Sequence, residues 1–445
     1  MHQEPKLSLV VGIAFGFLFG AASSIAAAGD ELWDCCFGSP GVEGYSISAI
    51  SIGQNEVFVG GTFLSIGGVT VTNIAKWDGQ NWSGVGSGLG TGLSHGVGSL
   101  VYCGNVLYAG GLFTNAGSAL ALNVARWDGI NWSALGSGVQ GVVAVLATDG
   151  SNLYVGGSFT NAGGISSTNI ARWDGQQWWP MSNGVKGDAG GIGAVDAIAV
   201  GADGVYVGGS ITNASGVNAT NIARWDGTNW WALGSGIPGR VRAVAVKGSE
   251  VYAGGDPFRQ GNATAVYVSK WDGSTWTAIG TSDWAAGGGL GDLLVLGNDL
   301  YAGGSFVQLD NVSVSRIARW DGARWWALGS GVGGSPIVVD GRGVSALASD
   351  GTELFAGGYF QLAGGKPSTN IALWHIPHSL SISQTGYQVS LSWPGTGTNF
   401  VLEAKEDVAG TNWSEVSQPV ALHSNECVVT DTIAGPQKFY RLRKK

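Results

Sequence analysis

A block of about fifty residues recurs along most of this chain, and any fold it adopts must accommodate that period. One copy reads VYVGGSITNASGVNATNIARWDGTNWWALGSG, from Val205 to Gly236. Each copy has a Gly-Gly pair after an apolar run: Gly60-Gly61, Gly110-Gly111, Gly156-Gly157, Gly208-Gly209, Gly254-Gly255, Gly303-Gly304 and Gly357-Gly358. Each then has a Trp (Trp77, Trp127, Trp173, Trp225, Trp271, Trp320, Trp374) at spacings of 50, 46, 52, 46, 49 and 54. Four short apolar runs fill every period. Runs such as Val143 to Ala147, Leu153 to Val155, Asn169 to Trp173 and Trp178-Trp179 are rich in β-branched and aromatic residues and bounded by Gly, Asn and Asp, as strands are. Asp-Gly after the third run supplies a turn, because Gly accepts positive φ and Asp bonds its own backbone. The paired glycines fit a place where a neighbouring ring lies on the backbone. Helical periodicity is absent.

A period near fifty with four strands per copy implies a β-propeller of seven blades. The phase of the ends adds closure. A second Trp series, Trp82, Trp132, Trp178, Trp230, Trp276 and Trp325, has six members against seven Gly pairs. Trp33 lies 49 residues before Trp82, and the last repeat stops at Trp374 after its third strand. The N-terminal segment is therefore expected to complete the final blade and remove both exposed edges.

At this point the chain resembles the kelch and galactose-oxidase-like propellers, whose pattern is an apolar run, Gly-Gly, a variable loop, an aromatic-Asp turn and a Trp. Residues 46–374 carry it seven times. The resemblance implies fold and hardly any function, because such rings serve as scaffolds and as enzymes. The copper site of galactose oxidase is not carried over: mature His residues are only His95, His375, His378 and His423, and no set of residues supplies the required two His and two Tyr.

Residues 1–28 have the form of an export signal: Lys6, an apolar stretch from Leu7 to Phe19, then Ala26-Ala27-Ala28. A retained anchor is the other reading, although three glycines interrupt the stretch and it is short for a span. Removing it leaves the formal charge at −9, which argues against nucleic acid and anionic membrane as partners. The expected domains are the signal at 1–28, the propeller at 29–376 and a small β-sandwich at 379–445, the last resembling a fibronectin-type-III module. Cys35, Cys36, Cys103 and Cys427 admit several pairings or free thiols. Seven Asn-x-Ser/Thr triplets (the first at Asn81, the last at Asn412) are glycan acceptors in an exported eukaryotic chain and turn-forming residues otherwise.

Residues common to every copy serve the blade; those that break the pattern need another explanation. The longer connections, second-to-third strand and fourth-to-first, share one face, and variable loops on a rigid ring are the usual seat of function. The second position of the inner strand is small in most copies (Ser48, Gly98, Ala144, Gly291, Ser345) but Asp196 and Arg242 in the fourth and fifth. Blade five also carries Asp256-Pro257-Phe258-Arg259. Where other blades hold Asn73, Asn123, Asn169 and Asn221, it and the next carry Tyr267 and Arg316. Between them lie Asp283 and Trp284. Asp196, Arg242, Arg259, Tyr267, Asp283 and Trp284 thus form a candidate binding patch for a saccharide or peptide. Repeat decay, with Asp196 and Arg242 as an ion pair, produces the same departures. No catalytic residue, metal or cofactor is assigned. Asp196 with Asp292 is the one suggestion of paired carboxylates. The expectation is a secreted or cell-envelope, monomeric, non-catalytic propeller that binds a protein or glycan, without membrane insertion once the signal is gone. The alternative is an extracellular polysaccharide hydrolase or lyase.

Overall fold

A computed structural model describes residues 27–444, apart from 35–36, 38–40, 91–95, 188–194, 261–263, 284–287, 335–342 and short stretches after residue 377. It divides into two compact units, Ala26–His375 and one that holds Ile376–Lys445. Both are all-β.

In the larger unit the repeats make antiparallel sheets of four strands paired in chain order, except that the last repeat supplies only three, Val344–Ser349, Glu353–Gly358 and Ile371–His375. The third repeat shows the pattern: Val139–Thr148, Leu153–Ala162, Ile170–Trp173 and Trp178–Pro180 pair in that order. The inner strands lie side by side from one sheet to the next, from Val42–Ile52 through Val97–Cys103, Val139–Thr148, Val195–Gly201, Val241–Lys247 and Leu290–Leu296 to Val344–Ser349. Val344–Ser349 in turn lies beside Val42–Ile52. This is a β-propeller. The outer strand beside Ile371–His375 comes from the N-terminal segment, with Trp33 opposite Trp374 and Asp34 opposite Leu373.

Sheets must be bolted to one another, and the second Trp series does this. Trp132 donates its indole N–H to the Val85 carbonyl of the preceding sheet at 2.9 Å, Trp178 to Leu135 at 2.9 Å and Trp230 to Met181 at 3.1 Å. Trp33 makes the same bond to Leu328 at 2.8 Å, and Trp82 makes it to Phe37, just past the N-terminal strand. Both are buried. Each Trp joins a large buried apolar surface to a satisfied polar tip.

The Gly-Gly pairs have a different cause from the one expected. Except at Gly304, where the Phe306 ring is also close, what approaches them is no ring. A Cβ on Gly60 would lie 2.5 Å from Val97 of the next inner strand, and one on Gly61 2.1 Å from the Ser46 carbonyl oxygen. The rings rest instead on hairpin glycines such as Gly163, whose Cβ would meet Trp178 at 2.0 Å.

The recurring Asn residues are corners. Asn73, Asn123, Asn169, Asn221 and Asn370 all have φ between 62° and 66°. Asn123 accepts from the Phe113 amide at 2.8 Å and donates to the Val139 carbonyl at 2.9 Å, tying the second-to-third connection to the next inner strand. Asn enters the left-handed region more readily than other side chains and satisfies two backbone groups there. The connection it anchors bears a small extra hairpin, for example Asn115–Ala116 with Ala119–Leu120 and Asn213–Ala214 with Val217–Asn218. Blade five departs: Glu250–Gln260, Thr264–Trp271 and Trp276–Asp283 run on as long paired strands.

The smaller unit has a four-stranded sheet (Ser381–Thr385, Gln388–Pro394, Glu426–Thr432, Ala421–His423) and a three-stranded one (Ser414–Glu415, Phe400–Lys405, Phe439–Lys444). Val389, Leu391, Trp393, Leu402, Cys427 and Val429 form its core.

Candidate functional site

Opposite each Gly-Gly pair the inner strand carries one extra residue, at a register shift between the partners of the two glycines. A bulge re-aims its side chain. Ser48, Gly98, Ala144, Asp196, Arg242, Gly291 and Ser345 all line one central cavity of about 280 Å³. Five of these are small or neutral, so the charge at the mouth comes from blades four and five.

Asp196 and Arg242 do not pair with each other. Asp196 takes both of its bonds from Arg240, Nε and Nη2 each at 2.6 Å. Arg242 instead donates to Asp256, at 2.6 Å from Nε and 3.3 Å from Nη2. The Asp256 amide bonds the Arg240 carbonyl at 3.0 Å, so the two pairs share one piece of backbone. The bonds that Arg240 donates to Asp196 raise its guanidinium above the usual range. A planar fork suits such bidentate pairing. Arg240 was missed in the sequence because it precedes the strand and has no fixed place in the repeat.

Asp292 also lines the cavity, one position deeper in the bulge. It accepts the Leu293 amide at 2.8 Å and, across the blade boundary, the Leu347 amide at 2.7 Å. Burial raises its carboxyl from 3.8 to about 7, against the pull of those two amides.

The remaining candidates separate. Tyr267 is 1% exposed and packs near Phe306, with centroids 6.4 Å apart. It is therefore a core residue and leaves the proposed patch. The reason is local: with no Asn corner the strand continues, and alternation turns this side chain inward. Arg316 keeps the corner, at φ 65°, and its Nη1 donates to the Val332 carbonyl at 3.2 Å as an Asn amide does elsewhere. Arg259 and Asp283 lie on paired strands, opposite Ala265 and Thr264. Their side chains, like Trp284, Cys35 and Cys36, are outside the described residues.

A further feature of the perimeter was not read from the sequence. Trp179, Trp231 and Trp326 are 41%, 51% and 38% exposed, each donating to a turn Asp at 2.6 Å (Asp174, Asp226, Asp321). Each stands opposite an Arg of the third strand. These indoles finish cross-strand ladders. Among the described residues no group of three or more His, Cys, Asp or Glu could hold a metal ion.

No protein-family model and no curated protein sequence matches this chain. Solved structures do resemble it. The computationally designed Ika8 protein has a TM-score of 0.42 at 17% identity, covering 76% of this chain and 98% of its own. BamB from Moraxella catarrhalis gives 0.37 at 11% identity, covering 74% and 85%. The Pan2 WD40 domain of Neurospora crassa gives 0.40 at 9% identity, covering 76% and 92%. Likenesses of this size carry no argument about activity or partner.

Proposed function

We propose that this chain is an exported, kelch-like propeller of seven blades, closed by its N-terminal strand, that binds a protein or a glycan on its long-loop face without catalysis. Residues 1–28 act as the leader and residues 379–445 as a fibronectin-type-III-like accessory module. The observation that carries the reading is the pair of ion pairs at the channel mouth, Asp196–Arg240 and Arg242–Asp256. They break the repeat in two neighbouring blades, and a blade needs neither, since five others do without them. Arg242 and Asp256 are each more than 40% exposed on their side chains, which leaves donors and acceptors for a ligand. The small hairpins surround this face with variable side chains on rigid backbone.

A hydrolase is disfavoured by the same geometry. Both oxygens of Asp196 are engaged by one guanidinium, which withholds Asp196 as the partner acid or base for Asp292. The test is a glycan array and an immobilised-peptide array probed with the purified chain. Retention that Arg242→Ala removes, with unchanged melting, supports the reading. Turnover of any polymer, or retention indifferent to Arg242→Ala, overturns it.

A further inference from the structure

Asp292 is a charge that the fold does not require. In the second blade the same position is Ser99, and its Oγ accepts the Leu146 amide at 3.0 Å. That is the bond Asp292 makes to Leu347, to the equivalent residue of the next inner strand. A neutral hydroxyl is thus enough to bridge two blades. Other copies place Ala49, Val145, Ala197, Ala243 and Ala346 there, side chains that cannot make this bond.

The other charges in the cavity lining are neutralised, Asp196 by Arg240 and Arg242 by Asp256. Asp292 has backbone amides and, among the described residues, no cation beside it. A lone carboxylate in a narrow protein-walled space draws counter-cations, because the low-dielectric walls focus its field. The cavity, about 280 Å³, lies below the usual size for drug-like ligands. It suits a narrow chain, and Ser48 and Ser345 are hydroxyl-bearing residues in its lining.

We infer that the central channel is a binding site for a primary alkylammonium group, held by the Asp292 carboxylate. The ammonium comes from a free small amine or from a lysine side chain of a partner protein. Its three donors match a carboxylate and hydroxyl-bearing residues that share the cavity lining, Ser48 and Ser345. The inference stands on the cavity and does not depend on how the outer face binds.

The experiment is isothermal titration of the full chain with n-butylammonium, with n-butanol and sodium chloride as controls, at about pH 8 and about pH 5; the amine is charged at both. The expected result is saturable binding at the higher pH, weakened about ten-fold or more at the lower as Asp292 takes up a proton. Butanol does not bind, and equimolar sodium does not displace the amine. Asp292→Ser, which keeps the Ser99-type bridge, loses the binding by a similar factor. A lysine-containing peptide that competes with butylammonium, while its norleucine counterpart does not, assigns the source to a protein; failure of both peptides assigns it to a free amine. Equal binding of butanol, equal binding at both pH values, or no saturable binding at about pH 8 overturns the inference. The pH and butanol comparisons use the unmodified chain, so they hold even where a variant misfolds.

Discussion

Replacing Asn123 by Ala tests whether the corners hold the sheets in register. Asn123 is 4% exposed and left-handed at φ 63°. Its loss strands the Phe113 amide and the Val139 carbonyl, at about 1–3 kcal/mol each for buried unpaired groups. Alanine also bears about 1 kcal/mol for the left-handed backbone. The total is about 3–7 kcal/mol. Asn123→Gly leaves the same two groups unpaired but removes the backbone term, so it is less destabilised than Ala by about 1 kcal/mol. Arg316→Asn restores the residue found at the other corners and stays within about 1 kcal/mol of the parent. Urea unfolding followed by tryptophan emission measures all three. An Asn123→Ala variant within about 1 kcal/mol of the parent, or a Gly variant no better than the Ala, refutes the reasoning.

Trp33→Phe keeps most of the buried ring but leaves the Leu328 carbonyl without its donor, so unfolding free energy falls by about 1–3 kcal/mol; Trp33→Ala adds a cavity and costs about 3–5 kcal/mol. Urea midpoints check both. Arg242→Ala changes stability by less than about 1 kcal/mol because that pair is largely exposed, which the same titration reads. Asp292 is raised in the folded chain, so the fold holds its proton more tightly than the unfolded chain does. Its contribution is full below about pH 4 and is lost as pH rises through about 7. The difference in stability between the parent and Asp292→Ser therefore declines across that window. The turn aspartates have the opposite sign: Asp174 and Asp321 are held at about 2, mainly by backbone and indole N–H donors. Their contribution is present above the usual carboxylate range and lost as pH falls toward about 2.

Much of the propeller was legible because its repeat is written in residues with single physical uses. Trp-Asp-Gly reads as a turn since only Gly suits φ near 100° there, as at Gly129, while Asp128 accepts the next two free amides. The pairing of Trp33 with Trp374 could be anticipated from phase alone. The site was less legible. Comparing repeats singled out Asp196 and Arg242, which line the central cavity because a bulge fixes their place in every copy. It missed Arg240 and misjudged Tyr267, because one precedes the strand and the other sits where an absent Asn changed the backbone path. Partners that meet through space, such as Arg242 with Asp256, follow from where a strand bends, and spacing does not encode that.

Hydrogen exchange over residues 30–37 tests the central claim most directly, namely that an N-terminal strand is built into the last sheet beside Trp374. The account predicts that the Asp34 amide, opposite Leu373, exchanges as slowly as that of Ser133 in the outer strand Trp132–Ala134, with Ile371–His375 equally protected. Exchange of the Asp34 amide at the rate of an unstructured chain contradicts it.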